Sequence, residues 1–114
     1  MEDRLVREAF FFGEHYLNFY KKLDKKVKKK IDWTINLIET VEHVPEKYFK
    51  HLANADGLYE IRVEIESNIY RIFSFFDEGK LIIIINGFQK KTNKTPKLEI
   101  DKALKIKKQY FDEK

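Results

Sequence analysis

The sequence predicts one α+β domain spanning residues 1–114, and three patterns predict it. Phe19, Leu23, Val27, Ile31, Ile35 and Ile38 recur at three- or four-residue steps, the spacing of one helical face. Residues 58–66 alternate: Tyr59, Ile61, Val63 and Ile65 take one side of a strand, and Glu60, Arg62, Glu64 and Glu66 the other. Residues 81–88 are apolar on both sides, as in a central strand covered on both faces.

The elements follow in order. Residues 6–12 are apolar and aromatic and end at Gly13, which reads as a short first strand. A helical hairpin is expected over 14–23 and 25–42, with Asp24 as the N-cap of its second helix. Its lysines, Lys21, Lys22, Lys25, Lys26, Lys28, Lys29 and Lys30, lie mostly off the apolar face. Pro45 disfavours further helix, and residues 46–57 read as a loop. Strands are then expected at 58–66, 69–76 and 81–88, joined by turns at Ser67-Asn68 and Asp77–Lys80. Thr95 and Pro96 open a terminal helix whose buried stripe includes Ile100, Ala103, Leu104 and Tyr110. The expected architecture is an antiparallel three-stranded meander with helices packed on one side.

Composition narrows the function classes. At 114 residues the chain supports one hydrophobic core, and its 43% apolar content, with ten Phe and six Tyr, argues against disorder. The absence of cysteine removes disulfides, thiolate metal sites and cysteine nucleophiles, and suits a reducing cytoplasm. The +4 net charge arises from 23 basic and 19 acidic residues, so the total says little. Their segregation along the chain says more, favouring a local basic surface for phosphates or acidic proteins. Met1-Glu2-Asp3-Arg4 lacks the apolar stretch of a signal peptide, and the apolar run at 81–85 is far below the roughly 20 residues of a membrane span. A soluble, cytoplasmic protein without a membrane partner is expected.

The candidate chemistry is cationic. Arg62 and Arg71 lie in adjacent strands where they approach as cross-strand neighbours, and Lys90, Lys91, Asn93 and Lys94 follow the third strand. Such a sheet face is suited to phosphate, and Tyr70, Phe73, Phe75 or Phe88, if exposed, to stacking an unpaired base. Plainer readings stand beside these. Arg62 could pair with Glu60 and Glu64 as a solvated ladder, and Lys90 and Lys91 could form an ordinary basic loop. The aromatics could be core, and the helix lysines a solvated face. Arg71 is harder to explain structurally, because a buried guanidinium needs a partner. His15, His43 and His51 fall in separate segments without metal-ligand spacing, no phosphate-binding glycine motif is present, and Ser67 and Ser74 lack a His–acid pattern. No metal or cofactor is expected. Composition and pattern alone reach a small α+β domain with a basic sheet face that could bind RNA.

Three ordered segments carry a resemblance. Gly57-Leu58-Tyr59-Glu60-Ile61-Arg62, Tyr70-Arg71-Ile72-Phe73, and Gly87-Phe88-Gln89-Lys90-Lys91-Thr92 with Lys94, Thr95 and Pro96 resemble the HigB-like branch of the RelE/ParE toxin superfamily over residues 4–111. The resemblance implies a RelE-like fold and the toxin of a type II toxin–antitoxin pair. It implies a ribosome-dependent mRNA endoribonuclease in which the RNA's own 2′-hydroxyl attacks the adjacent phosphate without metal. Carried over, Arg62 and Arg71 match phosphate and transition-state positions, and Lys90 and Lys91 the basic pair that supplies base or acid. Lys94, Tyr70, Phe73, Lys25 and Lys28 are the RNA-contact candidates, and Tyr110 a further candidate near the scissile phosphate. The implied partners are mRNA, the ribosome and a cognate helix-turn-helix antitoxin. The sequence departs from the family in lacking a matching His or Asp at the site; His51 reads as a loop residue. A ParE-like gyrase inhibitor and a non-catalytic RNA-binding module share the fold and remain alternatives.

Overall fold

The computed structural model describes residues 5–114; the charged tetrapeptide at the start lies outside them. The order is β1 (Glu8–Phe11), α1 (His15–Tyr20), α2 (Lys25–Thr40), β2 (Phe49–His51), β3 (Tyr59–Ile65), β4 (Asn68–Asp77), β5 (Leu81–Lys90) and α3 (Lys97–Glu113). The α+β class and the antiparallel β3–β4–β5 meander are as the alternation predicts. Among the described residues no helix is long and apolar enough to cross a membrane.

The sheet is mixed, in the order β1-β5-β4-β3-β2, because β1 runs parallel to β5. Strand β2 lies inside the segment expected to be a loop. Its three residues are too few for a visible alternation, but Phe49 is buried and stacks on Tyr59 with ring centroids 4.9 Å apart.

Helices cover both faces, which corrects the expectation of one-sided packing. On one side α2 buries Val27, Ile31, Ile35 and Ile38 against Ile61, Val63, Tyr70, Ile72, Ile82 and Ile84. On the other, Ala103 and Ile106 of α3 pack on Leu58, Phe73, Phe75, Ile83 and Ile85. The reason is the one already visible in β5: a strand apolar on both sides needs two covers. Asp24 occupies the N-cap position of α2 without a side-chain capping bond. Thr95 does not cap α3 either; Pro96 is the N-cap and the Thr95 hydroxyl is used elsewhere.

A bulge in β5 reorients the strand's end. Ile72 and Ser74, two positions apart on β4, pair with Gly87 and Ile84, three positions apart on β5. One extra residue inverts the in–out alternation beyond it. Phe88 therefore pairs with Arg71 and packs on the α3 side, and Gly87 faces α1. A methyl group on Gly87 would lie 2.6 Å from Cε2 of Phe19, so no larger residue fits while α1 keeps its seat. Gly87→Ala is expected to cost about 1–3 kcal/mol through overpacking. Thermal unfolding checks this, and an unchanged midpoint would mean that the Phe19 ring yields freely.

Candidate functional site

Helix α3 covers only part of its face of the sheet. Beside the helix the same face carries Glu60, which lies under Thr95, with Arg62 and Glu64 of β3, Arg71 of β4 and, by virtue of the bulge, Lys90 of β5. Arg62 and Arg71 are paired directly across the two strands. Like charges so placed repel, and the sequence answers with Glu60, two residues from Arg62 on the same side. Oε1 of Glu60 lies 3.5 Å from Nε of Arg62 and 3.7 Å from Nε of Arg71. Its Oε2 accepts a hydrogen bond from the Thr95 hydroxyl, tying the start of α3 to the site.

Glu60 is therefore not one rung of a solvated ladder. It is 1% exposed, a buried carboxylate shared by two guanidiniums. Arg71 is 4% exposed, and its Nη1 donates to the Tyr70 carbonyl at 3.1 Å. Among the described residues neither Nε of Arg62 nor that of Arg71 makes a hydrogen bond, although both are buried. Glu60 and the exposed Glu64 offset the two guanidiniums of this face, and Lys30 and Lys47 close by leave positive charge in excess, which a bound oxyanion would balance.

Lys90 adds to that excess. It stands opposite Ile69, one step diagonally from Arg71. Burial, then the neighbouring Arg71 and Arg62, push its ammonium below the usual lysine range, while Glu60 and Glu64 oppose the shift. Arg71 is lowered by the same two causes, burial first and Arg62 second. Lys91 and Lys94 are exposed in the loop that leaves Lys90 and returns to Thr95. Beside the arginine pair lies a cleft of about 330 Å³ lined by Lys30, Lys47, Tyr48, Arg62, Glu64 and Arg71. The Arg62 amide donates to the Tyr48 carbonyl at 2.8 Å, which fixes this loop against β3.

Several candidates stand elsewhere. Tyr70 is buried on the opposite face near Phe19, and Phe73 is wholly buried and stacked on Phe88, so neither presents a ring to a base. Lys25 is exposed on α2, and Lys28 sits 5.5 Å above the Tyr20 ring; Lys30 is the helix lysine that lines the cleft. His51 is on the face opposite Arg62, edge-on to Tyr59.

Tyr110 lies at the other end of β4, where its hydroxyl donates to Oδ2 of Asp77 at 2.7 Å. Asp77 is six residues from Arg71, about 20 Å along a strand. The Tyr110 hydrogen bond, then that of Lys114 at 3.0 Å, hold the Asp77 carboxyl below the usual carboxylate range. A depressed carboxyl stabilises the fold above its unfolded-state pKa, and this contribution disappears as the pH falls through the folded value. Tyr110→Phe is thus expected to lower stability near neutral pH, with the difference from wild type vanishing in strong acid. Denaturant midpoints across pH measure this; a difference independent of pH would assign the effect to packing.

Lys47, Tyr48 and Trp33 escaped the sequence reading, which took Glu60 only as a solvated partner of Arg62 and Lys30 only as one of the helix lysines. For Trp33 a signal was present: it lies off the apolar stripe of α2 among lysines, and 46% of it is exposed.

A two-faced mixed sheet with two arginines gathered on one buried carboxylate at the edge of a cationic cleft defines a small α+β domain equipped for an oxyanion. Residues 18–108 match the family described as phage derived protein Gp49-like (DUF891), and the chain belongs to that family, part of the RelE/ParE-like superfamily of type II toxin–antitoxin toxins. No match is found among curated proteins.

Proposed function

We propose that this toxin is a ribosome-dependent mRNA endoribonuclease of the HigB type, and that the cleft beside Arg62 and Arg71 receives the scissile phosphate. The observation that carries the reading is the cross-strand arginine pair held by a single carboxylate, with Lys90 turned onto the same face. In the proposed reaction the 2′-oxygen attacks phosphorus and the bond to the 5′-oxygen breaks, leaving a cyclic phosphate and a 5′-hydroxyl. Charge develops on the non-bridging oxygens, where Arg62 and Arg71 stabilise it. The 2′-hydroxyl loses a proton to a base, and the departing 5′-oxygen gains one from an acid.

Lys90 and Lys91 supply these two proton transfers. The lowered pKa of Lys90 increases its neutral fraction at a given pH, which favours it as the base. An unassisted lysine is a slow base, and the ribosome's contribution is to place the 2′-oxygen, phosphorus and leaving oxygen in line. The same reading makes the protein cytoplasmic and gives it a helix-turn-helix antitoxin as its partner.

Primer extension on a reporter mRNA after brief induction tests the proposal. Discrete in-frame cuts that require translation are expected. Growth arrest with intact mRNA and altered DNA supercoiling would replace this reading with gyrase inhibition. Ribosome binding that leaves mRNA intact would replace it with a non-catalytic module.

A further inference from the structure

We propose that Trp33, braced by Tyr48, is a base-stacking shelf for the unpaired nucleotide next to the phosphate held at Arg62 and Arg71. The inference rests on the RNA reading of the cleft and adds to it the part of the substrate that the arginines cannot touch.

Trp33 projects from the polar side of α2, and Tyr48 meets it edge-on, ring centroids 5.3 Å apart at 71°. The edge contact fixes the indole and leaves it half-exposed. The recess over the indole is lined by Lys26, Lys29, Lys30, Trp33 and Ile65. Lys30 also lines the arginine cleft, so the two recesses share a wall. Of the lysines around them, Lys26 is ion-paired, to Glu66 at 3.1 Å.

The chemistry of this surface selects its occupant. An apolar protein face laid on Trp33 would have to desolvate the ammonium groups of Lys29, Lys30 and Lys47. A nucleotide brings a flat ring for the indole and a phosphate for the lysines, and single-stranded nucleic acid is bound elsewhere by this combination of aromatic face and cationic groove. Lys30 couples the two halves. Its ammonium stands 4.5 Å from the centre of the Trp33 ring and 5.8 Å from that of Tyr48. A base taking that place exchanges a cation–π contact for stacking and releases the ammonium to the phosphate. Tyr70 and Phe73 were the sequence-based candidates for this role; the half-exposed ring near the cleft is instead Trp33 of α2.

Trp33 is the single tryptophan of the chain, so its fluorescence reports the shelf alone. The full-length protein is titrated with a short oligo-uridylate and with an abasic ribose–phosphate oligomer of the same length, binding being followed independently by anisotropy of a labelled strand. The expected result is quenching by the oligo-uridylate, with little from the abasic strand. Trp33→Ala should weaken oligo-uridylate binding about 5- to 150-fold per stacked base, leave abasic binding unchanged, and be largely rescued by Trp33→Phe. Circular dichroism confirms that the variants fold. Unquenched Trp33 at saturating RNA would overturn the shelf while leaving the phosphate cleft in place. Equal losses for both strands would overturn it too, as would a defect confined to antitoxin binding. Absence of any RNA binding would also overturn it, with cleavage of ribosome-bound mRNA by Trp33→Ala deciding separately on the nuclease. Quenching without mRNA cuts would keep the shelf and remove the nuclease.

Discussion

Arg71→Ala is expected to abolish in-frame mRNA cutting, lowering the cleavage rate about 10²–10³-fold, the usual effect of removing one donor aimed at a developing oxyanion. Arg71 is nearly buried, and its charge exceeds what the shared Glu60 can neutralise. Water therefore screens it poorly, and a phosphate in the cleft would meet a strong field. Arg71→Lys should recover little, since a compact ammonium does not reproduce the planar fork of donors. The double variant Lys90→Ala/Lys91→Ala should lose a comparable factor through proton transfer, about 10²–10⁴-fold. Rates are read by primer extension with translating ribosomes. Retained antitoxin binding and an unaltered far-ultraviolet spectrum exclude unfolding as the cause. Cuts of wild-type intensity in folded Arg71→Ala would remove the arginine pair from the reaction.

Glu60→Gln is expected to have the largest effect on stability. It leaves Arg62 and Arg71 opposed across the strands with only the exposed Glu64 as a nearby negative charge. Breaking a buried ion pair from one side typically costs about 3–5 kcal/mol, because the remaining charge has lost its compensation. At about 4 °C per kcal/mol for a domain of this size, the melting temperature should fall by roughly 12–20 °C. Glutamine retains an oxygen for the Thr95 hydroxyl, so the loss isolates charge from hydrogen bonding. Inorganic phosphate should restore part of the loss by occupying the place of the missing anion. Thermal melts with and without phosphate measure both effects. A melting temperature within a degree or two of wild type would mean that the arginines do not depend on Glu60.

Local pattern carried the helices and the meander. The α2 stripe is readable because a helix must bury one face, and β3 because its alternation matches the pleat. The double covering of β5 was equally readable, yet it was not extended to the placement of α3 on the opposite side from α2. Strand β2 was hidden because three residues carry no period, and its pairing with β3 is non-local. At the site, Arg62 and Arg71 were found as neighbours because a short turn fixes their register. Glu60 was misread because alternation places it on the polar side of β3 and says nothing of what covers that side.

The α+β class, the meander, the arginine pair and the lysines at the end of the third strand each follow from short-range geometry along the chain. Which face each group reaches is set by the folded chain as a whole. The bulge between Ile84 and Gly87 inverts the alternation and turns Lys90 toward Arg71; without the extra residue it would point with Ile82 and Ile84 toward α2. Burial beneath α3 and Thr95 made Glu60 the counter-ion of the pair, and the approach of α2 to the segment before β2 set Trp33 against Tyr48. A side chain's type and spacing are local properties. Its burial and neighbours depend on segments far away in the chain, which no local pattern encodes.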